Sequence, residues 1–92
     1  MSRTEYRCQM YPTADSPGWR LFVVLPGRVS EWPERKWKGR AVPTVAARAA
    51  ALRQLGYTTV SDAHPWEWIE CQEEGVDPVI LTAVAHVVQR NA

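Results

Sequence analysis

Apolar and polar residues alternate in the first quarter of the chain, which predicts a hairpin of two β-strands. From Glu5 to Tyr11 the alternation has the period of a half-buried strand. Turn-forming residues follow at 15–18, and a second strand is predicted from Trp19 to Leu25. Both faces of the second strand carry apolar side chains, which favours a central position in the sheet. The inward residues of the first strand are Tyr6, Cys8 and Met10.

The clearest pattern predicts a helix from Val45 to Leu55. Thr44 suits the N-cap, because its hydroxyl can accept a hydrogen bond from a free backbone N–H. Gly56 suits the left-handed position that ends a helix. Arg48 falls outside the apolar stripe, which is the predicted buried side. The residues of that stripe are Val45, Ala49, Leu52 and Leu55.

After the helix, residues 57–60 extend only briefly, and alternation returns over 66–71, which we interpret as a third main strand. Its two indoles, Trp66 and Trp68, share one face, and packing in the core is favoured over a role as a binding platform. Asp77-Pro78 resembles a helix start, yet the residues that follow are rich in β-branched side chains. For 78–88 we therefore predict strand rather than helix.

This last strand would pair back on the third through a turn at 73–77. The predicted fold class is α+β: a small four-stranded, mainly antiparallel sheet in ββαββ order, with one helix packed on one face. Ninety-two residues provide one hydrophobic core, so we expect a single globular domain over 1–92.

Between Pro26 and Val42, prolines, glycines, tryptophans and charges interrupt any period, which predicts a long irregular connection. Its part from 28 to 40 has a net charge of +3 and contains two tryptophans. Loops of this kind often carry function. The candidate binding residues are Arg28, Trp32, Arg35, Lys36, Trp37, Lys38 and Arg40.

Three interpretations of this segment remain open. The tryptophans could fold back and cap a small core. Tryptophan and arginine are also enriched in the hot spots of protein interfaces. Basic side chains that neutralise phosphates, beside indoles that stack on unpaired bases, would suit a nucleic acid. The sequence does not decide whether Trp32 and Trp37 are exposed or buried.

Charge and potential ligands add little to this picture. The net charge is +1, but residues 1–60 carry +6 and residues 61–92 carry −5, which permits a dipolar surface. Close pairs of metal ligands are absent, so we expect neither a metal site nor a cofactor. The residues considered as ligands are Cys8, His64, Cys71 and His86.

Familiar short catalytic motifs are also missing, and we do not expect an enzyme. The longest apolar run spans about ten residues, whereas a membrane helix needs about twenty, so we expect no membrane association. No signal-peptide pattern precedes the first strand, and two cysteines do not form a disulfide framework. We therefore expect a cytoplasmic protein.

Three segments together resemble an uncharacterised family of short actinobacterial proteins, some of which come from phages and other mobile elements. These segments are W-R-L-F-V-V-L-P-G-x-V-x-E-W-P (19–33), V-P-T-V-A-A-R-A-A-A-L-R-Q-L-G-Y (42–57) and W-E-W-I-E-C (66–71). The resemblance implies a small accessory or interaction protein, without an established activity.

The leading hypothesis is a small non-catalytic module that binds a protein partner through Trp32, Trp37 and the neighbouring basic residues. The alternative is a nucleic-acid-binding module that uses the segment 28–40. An exposed sheet edge could also pair two copies of the chain, so a homodimer stays open.

Overall fold

The computed structural model describes residues 4–13, 17–61, 65–71 and 80–90, apart from the side chains of Val29 and Cys71. Within these ranges the secondary structure is mostly β. The chain forms strands β1 (Tyr6–Pro12), β2 (Gly18–Val24), β3 (Glu34–Lys38), β4 (Tyr57–Thr59), β5 (Glu67–Cys71) and β6 (Ile80–Gln89). A 3₁₀ turn spans Val29–Glu31, and the single described helix, α1, spans Val45–Leu55.

The strands form one antiparallel sheet in the order β3-β2-β1-β6-β4, and β5 also pairs with β6. The long strand β6 has β1 on one side. On its other side β5 and β4 lie end to end, because β5 pairs with Ile80–Val84 and β4 with Val87–Gln89. β6 is therefore the strand with the most partners. The basic strand β3 pairs with β2, and β2 pairs with β1, which is the neighbour of β6.

The sheet is strongly curled. Trp19 of β2 and Trp68 of β5 are three strand spacings apart, which is about 14 Å on a flat sheet. Their ring centroids are nevertheless 6.1 Å apart in an edge-to-face contact at 85°. Because side chains stand roughly perpendicular to a sheet, this contact requires the two strands to curve toward each other.

The concave face of the curled sheet holds the core. Cys8 and Met10 are fully buried, as the alternation in β1 predicts, and Leu52 enters the same cluster from α1. Tyr6 is half-buried against this cluster. The buried members of the cluster are Cys8, Met10, Trp19, Leu21, Val23, Leu52, Tyr57, Ala83 and Val87.

The predicted fold class, a four-stranded ββαββ sheet with the helix packed on one face, is wrong. β3 and β4 are additional strands, and β6 pairs with three strands instead of one. The sequence concealed β3 because E-R-K-W-K lacks apolar alternation. The brief extension predicted at 57–60 is β4, which three residues made too short to be counted as a strand of the sheet. The strand prediction for 78–88 is confirmed over Ile80–Gln89. Residues 15–16 of the predicted turn at 15–18, and the whole turn at 73–77, lie outside the described residues, whereas Gly18 already belongs to β2.

Helix α1 begins and ends as its caps predict. The Thr44 hydroxyl accepts a hydrogen bond from the N–H of Ala47 at 3.0 Å. Gly56 has a φ of 95°, in the left-handed region, and its N–H donates to the carbonyls of Leu52 and Arg53. These contacts satisfy free backbone groups at both helix ends.

The predicted buried stripe of α1 is correct only in part. Leu52 is buried and Leu55 is half-buried, whereas Val45 is 57% exposed and Ala49 is exposed. Arg48, which we placed outside the stripe, is buried. Five of the eleven helix residues between 45 and 55 are alanines on several sides of the helix, so apolarity alone does not fix which side faces the core.

We predict that Gly18→Ala destabilises the β2–β3 pair. A Cβ at Gly18 would lie 2.6 Å from the backbone oxygen of Trp37, so the strands would have to separate. The expected cost is about 1–3 kcal/mol of unfolding free energy, measured by urea titration. Ser30→Ala on the exposed 3₁₀ turn is the control, with an expected change below about 0.5 kcal/mol. Equal stability of the two variants would contradict the close approach.

Candidate binding surface on strand β3

Strand β3 forms because the chain is fixed just before it. The Trp32 ring stacks on Phe22 of β2, with centroids 5.3 Å apart and planes 5° from parallel. Its Nε1 donates a hydrogen bond to the carbonyl of Leu25 at 2.9 Å. The chain therefore turns back on β2 after the 3₁₀ turn and pairs with it from Glu34 to Lys38. The predicted irregular connection over 26–42 is wrong in this part.

The hydrogen bonds beyond both ends of β3 show which of its backbone groups face β2. Val23 N–H donates to the Pro33 carbonyl at 3.0 Å, and Gly39 N–H donates to the Pro17 carbonyl at 2.9 Å. Hydrogen-bonded positions recur at every second residue in an antiparallel pair. Arg35 and Trp37 are therefore the β3 residues that exchange hydrogen bonds with β2.

The other three residues of β3 form a free sheet edge. The backbone N–H and C=O groups of Glu34, Lys36 and Lys38 point away from β2. Among the described residues β3 pairs with β2 alone. An edge of this kind is a template for another strand.

Two of these edge residues belong to a charged group on the convex face of the sheet. Glu34 forms an ion pair with Arg20 of β2, and Lys36 Nζ lies 3.8 Å from a Glu34 carboxylate oxygen. Arg20 also donates to the Tyr11 hydroxyl at 2.7 Å. The Lys36 side chain remains 67% exposed, and Lys38 is exposed as well. These lysines are therefore accessible to a partner.

Arg35 and Trp37 lie on the opposite, concave face, because side chains alternate along a strand. The guanidinium carbon of Arg35 lies 5.7 Å from the centre of the Trp37 ring. Arg35 also donates to the side-chain oxygen of Gln54 in α1 at 3.4 Å. Trp37 is half-buried and packs against the core cluster.

The two remaining candidates lie beyond the ends of β3. Arg28 is exposed and lines a cavity of about 280 Å³ with tyrosines 6 and 57, Leu25, Pro26 and Gln89. Arg40 is exposed, and its backbone carbonyl accepts a hydrogen bond from Trp19 Nε1 at 3.3 Å. The structure thus brings together the candidates of β3 itself and places Arg28 and Arg40 at opposite ends of the strand.

The two candidate tryptophans do not form one platform. Trp32 is half-buried and packs with Phe22 on the convex side, whereas Trp37 faces the core from the concave side. Each has one face engaged, by the Phe22 ring in the first case and by the Arg35 guanidinium in the second. Stacking on a nucleobase would have to use what remains exposed of each indole.

A buried arginine is the main feature that sequence reasoning missed. Arg48 is 6% exposed, and its guanidinium carbon lies 5.0 Å from the ring centre of Trp66 and 5.8 Å from that of Trp68. Its Nε donates to the Pro43 carbonyl at 3.1 Å, but its Nη1 is buried and has no hydrogen-bond partner in the described parts of the chain. Burial lowers the pKa of Arg48, since removal from water disfavours the charged form.

The spacing of Arg48 from Leu52 and Leu55 could have indicated that Arg48 is buried, because residues four and seven apart share one side of a helix. Cation–π contacts with two indoles compensate in part for its desolvation. Trp66 is half-buried and Trp68 is 42% exposed, and both take part in this cluster.

The considered metal ligands do not form a group. Cys8 is a buried free thiol, and burial raises its pKa to about 12. His86 is exposed and lines a second cavity, of about 250 Å³, with Glu5 and Glu67. No three His, Cys, Asp or Glu residues are placed to hold a metal in the described ranges. His64 and the side chain of Cys71 lie outside them.

A family profile matches residues 4–92, which is nearly the whole chain; its description is family of unknown function, DUF6303. The chain belongs to this family. Searches of curated proteins and of solved structures found no match. The membership confirms the resemblance to an uncharacterised family. No described helix of this family member is long and apolar enough to cross a membrane.

We predict that the stem of Arg48 matters more for stability than its charge. Arg48→Ala removes packing against Trp66 and Trp68, with an expected loss of about 2–3 kcal/mol. Arg48→Met keeps an apolar stem and removes a buried, incompletely paired charge, so we expect a loss below about 1 kcal/mol. Urea unfolding followed by tryptophan fluorescence measures both. An equal loss in the two variants would show that the charge dominates.

Proposed function

We propose that this chain is a small, non-catalytic protein-binding module in which the β3 edge accepts an extended segment of a partner as an additional strand. One observation carries the proposal: Glu34, Lys36 and Lys38 direct their backbone groups away from β2 at an edge that no described strand covers. Strand addition is a common mode of peptide recognition, with affinity from main-chain hydrogen bonds and specificity from alternate side chains.

The side chains of the edge indicate an acidic partner. Lys36 and Lys38 are exposed on the same face, so acidic residues at alternate positions of the incoming strand would lie opposite them. Lysine on an edge also discourages pairing with apolar strands. Complementary charge therefore selects among partners more than it adds affinity.

Nucleic-acid binding through 28–40 is the alternative, supported by the exposed cations of this segment. The engaged faces of Trp32 and Trp37 weaken the stacking part of that hypothesis. Binding to phosphates alone would be independent of base identity and strongly dependent on salt.

The cellular context of the module is part of the same proposal. We infer a cytoplasmic accessory protein of actinobacteria and their mobile elements. This inference is supported by the sequence resemblance.

We predict that a labelled peptide of alternating glutamate and valine binds the chain, and that Lys36→Pro weakens this binding. The N–H of Lys36 faces the free edge, so proline there removes an intermolecular donor without removing a bond to β2. Lys36→Ala is the matched control, because it loses the same charge but keeps the N–H. Fluorescence anisotropy measures both, and circular dichroism checks their folding.

We expect at least tenfold weaker binding for Lys36→Pro than for Lys36→Ala, because proline removes the N–H donor at 36 and its ring hinders close approach of the incoming strand. Equal weakening in both variants would reject strand addition. Charge attraction would then be the remaining explanation of the binding. A labelled oligonucleotide forms the second arm. Salt-sensitive binding of the oligonucleotide, with no binding of the peptide, would favour the nucleic-acid alternative.

A further inference from the structure

The sequence of β3 is complementary to itself when two copies run antiparallel about Lys36. Glu34 then lies opposite Lys38 of the second copy, and Lys38 lies opposite its Glu34. Arg35 lies opposite Trp37 of the second copy, and Lys36 lies opposite itself. Four of the five positions place attractive partners together, since the two Glu–Lys pairs have opposite charge and arginine attracts an indole in the two Arg–Trp pairs.

We infer that a second copy of this chain occupies the β3 edge, so that two sheets join into one across a two-fold axis at Lys36. The inference rests on the proposed function, because it names the partner strand for the same edge. Its basis is the free backbone of Glu34, Lys36 and Lys38 together with the charge order of β3.

The backbone geometry fits this register. The three residues that face outward are 34, 36 and 38, and the two-fold axis pairs 34 with 38 and 36 with itself. In antiparallel strands such outward residues exchange both of their N–H···O bonds with the residue opposite. Every outward group of β3 therefore finds a partner in the second copy, with no register shift.

The two-fold axis also keeps each face of the sheet continuous. Lys36, Lys38 and Glu34 lie on the convex face in both copies, whereas Arg35 and Trp37 lie on the concave face in both. Arg35 already lies 5.7 Å from the Trp37 ring of its own strand, so the same chemistry extends across the axis. The closest like charges are the two Lys36 ammonium groups, each of which has Glu34 at 3.8 Å in its own chain.

Pairing of β3 with β3 gives a closed dimer, whereas pairing of β3 with β5, the other free edge, does not. In the described part of the chain β5 pairs only with β6, and it carries the exposed acids Glu67 and Glu70. A contact between β3 of one copy and β5 of the next would attract by charge, but it leaves a free edge at each end and extends without closing. Pairing of β3 with β3 stops at two copies.

The test uses charge reversal at the two positions that the register places together. Glu34→Lys puts lysine opposite lysine, and Lys38→Glu puts glutamate opposite glutamate, so each variant alone should form a dimer at least tenfold weaker. An equimolar mixture of the two variants restores both opposite-charge pairs and should form a heterodimer. Sedimentation equilibrium of the full chain, from about 5 µM to about 500 µM, measures all three samples.

Two controls separate folding from association. Circular dichroism and urea unfolding follow each variant, because Glu34→Lys also removes the ion pair with Arg20. Lys36→Thr keeps the backbone groups and removes the like-charge contact at the axis, so we expect a dimer that is about fivefold tighter than that of the unaltered chain.

A chain that stays monomeric up to about 500 µM overturns the inference, as does a mixture that associates no better than its components. A monomer that binds the alternating glutamate–valine peptide leaves the proposed function in place. Open polymers indicate the β3–β5 contact and also overturn the inference. A dimer that persists in Lys36→Pro has its interface elsewhere on the chain and likewise overturns the inference.

Discussion

The contact between Trp19 and Trp68 is the constraint on which the rest of this fold depends, because it joins strands on either side of β1 and β6. A small side chain at the centre makes room for it: Ala83 of β6 lies directly opposite Trp68 and is fully buried. A larger residue at Ala83 would occupy the concave space that the indoles fill. The curl in turn lets a short helix reach both ends of the sheet, through Arg48 at β5 and Gln54 at β3.

This arrangement leaves the two ends of the sheet in different environments. At the β5 end, Arg48 packs against Trp66 and Trp68, and its guanidinium is removed from water. At the β3 end, Arg35 donates a hydrogen bond to Gln54 of α1, and Glu34, Lys36 and Lys38 stay exposed. The two free edges therefore differ in charge: exposed lysines flank the backbone groups of β3, whereas exposed glutamates flank those of β5.

The sequence predicted the elements whose side chains alternate between core and solvent or whose ends carry capping residues. β1, β5 and α1 belong to this class, and Thr44 and Gly56 mark the helix ends correctly. β2 and β6 were predicted instead from apolar and β-branched residues on both faces. β3 could not be predicted in this way, because its residues are held by backbone bonds to β2 and by Trp32 outside the strand. For Arg48, helical spacing from Leu52 and Leu55 could indicate the side of the helix, but the indoles that bury it lie eighteen and twenty residues away in sequence and no local period reports them.

The candidate site shows what composition alone can and cannot determine. Basic residues between tryptophans suggested a single surface, but pairing with β2 sends Lys36 and Lys38 to one face and Arg35 and Trp37 to the other. Composition also cannot reveal that the backbone N–H and C=O groups of Glu34, Lys36 and Lys38 point away from β2. Lysines that discourage indiscriminate pairing also favour particular strands, because an acid opposite a lysine offsets its charge. The order of charges along β3, rather than their number, therefore determines what its edge can bind.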